Sequence, residues 1–403
     1  MTSRFYSALL ICLGCCALAE EPTQPLPFEV KLETPVKYNG EDWMWFHPRV
    51  AAIPGAGKDG NPAIIMTLQR HLNISDYYSG LYTMRTDDLG KTWSGPKTIP
   101  ELAWRTGAEG EDISVCDVTP GWHAPTGKVI AIGVQVRYGK QGQQLEDKPG
   151  STCGAYSIYD PATDAWTPWQ TLEVPGPEKK FWSVGPGCVQ WLVEDGGSLL
   201  VPIYFKSPDT EQYSVTTLRC AFDGTKISVT GQGNEMTLAV ERGLCEPSLV
   251  KFKGLYYMTI RNDQKGYVAT STDGLTYGPM KEWTFDDGSD LGSYNTQQHW
   301  LTHGDGLFLT YTRRGADNDF VFRHRAPLFM AQVDPVKLNV IRATEKILMP
   351  NRGATFGNFG AVPINETESW VTDAEGMFGE ARQRGAEGSV FVARITWPTR
   401  TTP

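Results

Sequence analysis

The sequence predicts an all-β chain folded as a six-bladed β-propeller. Three observations carry that expectation. Aromatics make up 11% of the 403 residues, beside 42 Gly and 27 Pro, and no long apolar run has the 3.6-residue period of a helix. A strand-turn-strand unit recurs six times along the chain, at the spacing that marks propellers and solenoids. Two turns also share a Ser/Thr-x-Asp pattern that suits tight links between outer strands.

The repeat units follow in order. They run Phe46–Pro54 with Pro62–Met66, Ile113–Val118 with Gly127–Ile132, and Gly185–Trp191 with Gly197–Pro202. Then come Cys245–Val250 with Gly254–Arg261, Gln298–Leu301 with Gly306–Tyr311, and Asn358–Val362 with Ser369–Thr372. Each reads as a β-hairpin of apolar and β-branched residues around a Gly, Asp or Asn turn. A third strand follows most units, as in Leu81–Arg85 and Leu328–Val333. Such units pack radially as blades, and their first strands converge on a central depression. Residues at unit starts are therefore the functional candidates.

The N-terminus reads as a signal peptide over residues 1–19. Arg4 supplies positive charge, Ala8–Cys16 is apolar, and Ala17-Leu18-Ala19 forms a small-x-small cleavage site before Glu20. The remainder, 20–403, reads as one domain, secreted or periplasmic and monomeric. A lipoprotein reading on Leu13-Gly14-Cys15 ranks below it. No apolar run elsewhere reaches the ~18 residues needed to span a bilayer. Cys116, Cys153, Cys188, Cys220 and Cys245 remain after the leader. Their odd number and lack of a CxxC pair argue against a disulfide scaffold or zinc module. They read as small buried residues, with one or two bridges left open.

The formal net charge is −9. Scattered acidic charge argues against nucleic-acid binding. An anionic substrate would have to be met by a local cluster of Arg, since the global field repels it.

Thr86-Asp87-Asp88-Leu89-Gly90-Lys91-Thr92-Trp93 fits Ser/Thr-x-Asp-x-Gly-x-Thr-Trp in full. Ser271-Thr272-Asp273-Gly274-Leu275-Thr276-Tyr277 is a shortened version. The Asp is expected to accept turn amides, the Gly to take positive φ, and the aromatic to plug the blade. These are structural devices, away from the ligand face.

On these turns and units, the chain resembles the sialidase (neuraminidase) superfamily of Asp-box propellers, including its secreted sialidase-like bacterial members. The resemblance implies an exo-glycosidase for terminal acidic sugars, with a glycan partner and no cofactor. It implies a carboxylate-binding Arg set, matched by Arg49, Arg261 and Arg325, with Arg323 close behind and Arg313 and Arg314 as outer choices. Bidentate guanidinium pairing suits that task. Asp76 takes the general-acid position, and Glu246 that of the Glu that activates the nucleophile. Glu375 falls where the family supports its first Arg. One departure matters. The family's Tyr nucleophile opens blade six, where this chain has Gly357-Asn358-Phe359-Gly360. Tyr294 is a phenol from elsewhere, and water activated by a carboxylate is the other route.

Arg49 and Glu246 stand in apolar strand starts, where unpaired charge is rare. Their bland reading is a structural ion pair, as Glu246 with Arg261. Asp76 reads equally as a solvated loop residue. His47, His123, His299 and His324 fall near unit starts, and His47 and His299 rank first as sugar-binding or acid-base groups. No short-spaced ligand set marks a metal site. A polysaccharide lyase, a rhamnosidase-type hydrolase, or a non-catalytic glycan-binding propeller are the alternatives.

Overall fold

The computed structural model describes residues 23–398 apart from Ser75 and Glu178. The expected signal peptide and lipoprotein cysteine lie outside the described residues. The described chain forms six antiparallel sheets. Blade one comprises Met44–Ile53, Ala63–His71, Tyr82–Thr86 and Ser94–Thr98. Blade two is built on Asp112–His123, Lys128–Tyr138 and Cys153–Asp160. Blade three holds Ser183–Gly185, Leu192–Val193, Leu199–Lys206, Ser214–Phe222 and Ile227–Gln232. Blade four holds Cys245–Phe252, Leu255–Arg261, Gly266–Ser271 and Lys281–Glu282. Blade five rests on His299–His303, Gly306–Tyr311 and Leu328–Asp334.

Blade six is made from both ends of the described chain. Gly360–Asn365, Glu368–Ala374 and Ser389–Thr396 take their fourth strand from Glu29–Lys37. Glu29 lies opposite Thr396 and Lys37 opposite Ser389. Strands of each blade touch strands of the next, and blade six touches blade one, so the ring is closed. The six-bladed propeller of the sequence reading is thus the observed architecture. The closing strand was not among the expected units. The third unit also differs: residues 186–191 leave the strand, because Cys188 takes a left-handed φ of 55°.

The core lies between blades. Leu200 and Val215 of blade three pack with Met258 and Ile260 of blade four. Phe308 and Met330 of blade five pack with Val371 and Ala393 of blade six. Strands covered on both faces need apolar residues throughout, which is why the inner segments read as continuous apolar runs.

Both turn motifs form the bonds expected of them. Asp88 accepts the Thr92 amide at 2.8 Å and its hydroxyl at 2.6 Å, while Gly90 donates to the Thr86 hydroxyl at 2.9 Å. Asp273 accepts the amides of Thr276 and Leu275 at 2.6 and 2.8 Å. These bonds hold both carboxyls well below the usual carboxylate range. Trp93 packs toward Trp370 of blade six, with ring centroids 6.0 Å apart.

Candidate active site

The innermost strands share a backbone device near their starts. His47, Asp117, Cys188 and Glu246, from four consecutive blades, all take left-handed φ, at 54°, 56°, 55° and 46°. In blades one, two and four the ladder register slips at that residue. Each slip is a bulge that re-aims a side chain. A non-glycine residue in this region costs on the order of 1 kcal/mol or more, and persists where packing over-determines it.

The bulges stand around a central cavity of about 820 Å³, lined in part by Asp117, Cys188, Glu246 and Asn358. Asp76, Arg261, Arg323 and Arg325 line the same cavity. Five of the sequence-predicted residues therefore come together. Arg261 is buried and donates to Glu246, with Asp263 at 3.4 Å. Arg325 is different. Among the described residues it donates only to the main-chain oxygen of Asn295. Burial and then the charge of Arg261 push its guanidinium down to about 10. Arg323 is lowered by burial and by Arg261 and Arg242. Among the described residues, no carboxylate lies within ion-pair distance of Arg323 or Arg325. Arg323 and Arg325 thus crowd against Arg261 without a direct ion-pair partner, in a cavity whose wall also carries Asp76, Asp117, Glu146, Glu246 and Glu380.

Other predicted residues lie elsewhere. Arg49 sits at the hub of the ring, 1% exposed. Its Nε donates to Phe359 O at 3.1 Å, Nη1 to Val118 O at 3.2 Å, and Nη2 to Gln297 Oε1 at 3.0 Å and Cys188 Sγ at 3.2 Å. A side chain already spent on several blades has no fork left for a ligand carboxylate. Gly360 makes room for it: a Cβ there would lie 2.8 Å from Arg49 Cγ. His299 belongs to the same hub, accepting from Ser248 Oγ at 2.9 Å and donating to Phe359 O at 3.0 Å. Glu375 does not support Arg49. It binds Arg352 at 2.9 Å and the amides of Glu387 and Ser389, each at 3.0 Å. Asp373, a buried carboxylate that also feels Arg49, is pushed up to about 6 chiefly by burial.

The outer choices are also committed. Arg313 pairs in bidentate fashion with Glu345, and Arg314 stacks over the Tyr294 ring. The Tyr294 hydroxyl meets His324 Nδ1 at 2.6 Å and does not line the cavity. Phe359 is fully buried and offers its carbonyl to the hub. His47 lies behind the cavity wall, its Nε2 2.7 Å from Asp117 Oδ1.

Sequence reasoning missed Asp117, Cys188, Tyr78 and Tyr204 on the wall. Burial works to raise the Asp117 carboxyl, but the His47 ring, Arg49 and the Cys188 thiol outweigh it and hold it low. Tyr78 donates to Asp76 at 3.2 Å. Burial, reinforced by Asp117 and other acidic neighbours, pushes both phenols well up. A signal for Asp117 existed. Cys116-Asp117 repeats Cys245-Glu246 at the same place in its blade, so superposing the units on one another would have found it.

No family model matches this chain, and no curated protein matches it. Solved structures do. A protein of unknown function from Dyadobacter fermentans DSM 18053 aligns with TM-score 0.63 at 15% identity, over 92% of this chain and 99% of that one. A Hadza microbial sialidase aligns with TM-score 0.60 at 12% identity, over 87% of this chain and 65% of that one. A Trypanosoma rangeli sialidase gives 0.57 at 12%, over 89% and 57%. The chain is therefore similar in fold to sialidase propellers. It spans under two thirds of the length of these two sialidases.

Proposed function

We propose that this protein is an exo-acting glycoside hydrolase that removes a terminal acidic sugar from glycans, sialic acid first among them. One observation carries the reading: Arg325 and Arg323, without carboxylate partners, share a cavity with Arg261 and with the carboxylates Asp76 and Glu246. A sugar carboxylate seated there accepts charge-assisted bonds and relieves the crowding of like charge. Asp76, exposed on the wall, donates a proton to the leaving oxygen. Glu246, oriented by Arg261, activates water. The likeness in fold to sialidase propellers supports the substrate class.

The phenols Tyr78 and Tyr204 stay protonated because burial disfavours their anions. Phe359 has no hydroxyl to offer. Water is therefore the nucleophile in this reading, and the anomeric centre inverts.

The test is hydrolysis of a sialyl aryl glycoside, and of uronide analogues, by the purified protein. Release is expected, with inverted product in a proton NMR time course. Asp76→Asn and Glu246→Gln should each lower kcat/KM by about 10²–10⁴-fold. No release from any acidic glycoside, by protein with an intact circular dichroism spectrum, rejects the reading. An unsaturated uronate product would mean elimination instead.

A further inference from the structure

Three of the residues with left-handed φ form a cluster that the glycosidase reading does not use. His47, Asp117 and Cys188 each offer one ligand atom, all within 4.8 Å of one another. We propose that they form a three-ligand site for a divalent cation of the zinc class, open to the cavity.

The donor set is the first argument. Imidazole, carboxylate and thiolate are the ligands zinc takes, and three protein ligands with one open position is the pattern of a reactive site. The carboxylate and thiolate together match a divalent charge. Placement is the second. Asp117 and Cys188 line the cavity, so the open position faces it and takes water or an oxygen of a bound ligand. The third is shared contact. His47 is 1% exposed, with its Nε2 2.7 Å from Asp117 Oδ1, and the same oxygen accepts from the Cys188 thiol at 2.9 Å. One carboxylate oxygen thus already gathers the other two ligand atoms, and a bound cation would take over both contacts. Arg49 adds outer support, since its Nη2 donates to Cys188 Sγ at 3.2 Å and orients it. Metal binding displaces the thiol proton to solvent.

The three ligands sit on separate blades, which is why spacing in the sequence did not mark a metal site. The site stands independently of the reaction proposed above.

Metal-free protein is titrated with zinc and, separately, with cobalt. One ion should bind per chain. Cobalt should give a thiolate charge-transfer band in the near ultraviolet that Cys188→Ser abolishes and His47→Gln weakens. Zinc should raise the unfolding midpoint of the parent protein and leave that of Cys188→Ser unmoved. Binding well below one ion per chain in the parent protein overturns the proposal, whether or not the variants fold. So does a charge-transfer band that survives in folded Cys188→Ser.

Discussion

Arg49 and Arg325 are the same side chain put to opposite uses. Arg49 is enclosed and donates to acceptors from other blades. Arg325 faces a cavity beside other guanidiniums with one main-chain oxygen for company. Truncation separates them. Arg49→Ala leaves buried acceptors unpaired, and should cost about 3–5 kcal/mol of stability in a denaturant titration. Arg325→Ala should leave stability level or higher while raising KM for an acidic glycoside about 10–100-fold, the worth of a charge-assisted bond. An unchanged KM would remove Arg325 from the binding site. His299 makes a further prediction. Burial, and then Arg49, push its imidazole down to about 3 from an ordinary 6.5. The unfolded chain takes up a proton near 6.5 while the folded chain resists it. Stability present above pH 6.5 is therefore lost as pH falls toward 3, by about 1.4 kcal/mol per pH unit. His299→Gln should make the fall in unfolding midpoint shallower across that window. Parallel curves for parent and variant would count against the argument.

Among the elements, the turns and the bulges behave differently under sequence reading. The turns were legible because their bonds are local: Thr86, Asp88, Gly90 and Thr92 satisfy one another within seven positions. Thr86→Val removes the hydroxyl to which Gly90 donates and should lower stability by about 1–3 kcal/mol, with kcat/KM unchanged. A loss of activity at equal stability would tie the turn to the cavity. The bulges were only half legible. Glu246 was found through a family resemblance and His47 as a histidine near a unit start, while Asp117 and Cys188 were passed over. A left-handed φ at Asp, Cys or His has no local residue signal comparable to Gly. It arises where neighbouring blades force the strand to turn inward.

For the whole molecule, closure is the controlling fact. Glu29–Lys37 and Ser389–Thr396 pair across the full length of the chain and lock blade six. Deleting the segment up to Lys37 exposes the edge of Ser389–Thr396 and uncovers Val390 and Val392. The truncated protein should lose its cooperative unfolding transition and aggregate in sedimentation velocity runs. A monomeric, cooperatively folding truncation would show that the ring does not depend on this strand.

Composition, hairpin periodicity and turn chemistry by themselves determined the all-β class, the six blades and the Asp-centred turns, since each rests on contacts close in sequence. The family resemblance, not these local signals, picked out Asp76, Glu246, Arg261, Arg323 and Arg325, which the fold gathers into one cavity. Only the tertiary structure decided which charges face that cavity. Arg49, His299 and Glu375 have the right types at the right positions, yet are satisfied by groups on other segments. A polar side chain is free for a ligand only when nothing across the ring has already claimed it, and ring closure is a property of the whole chain.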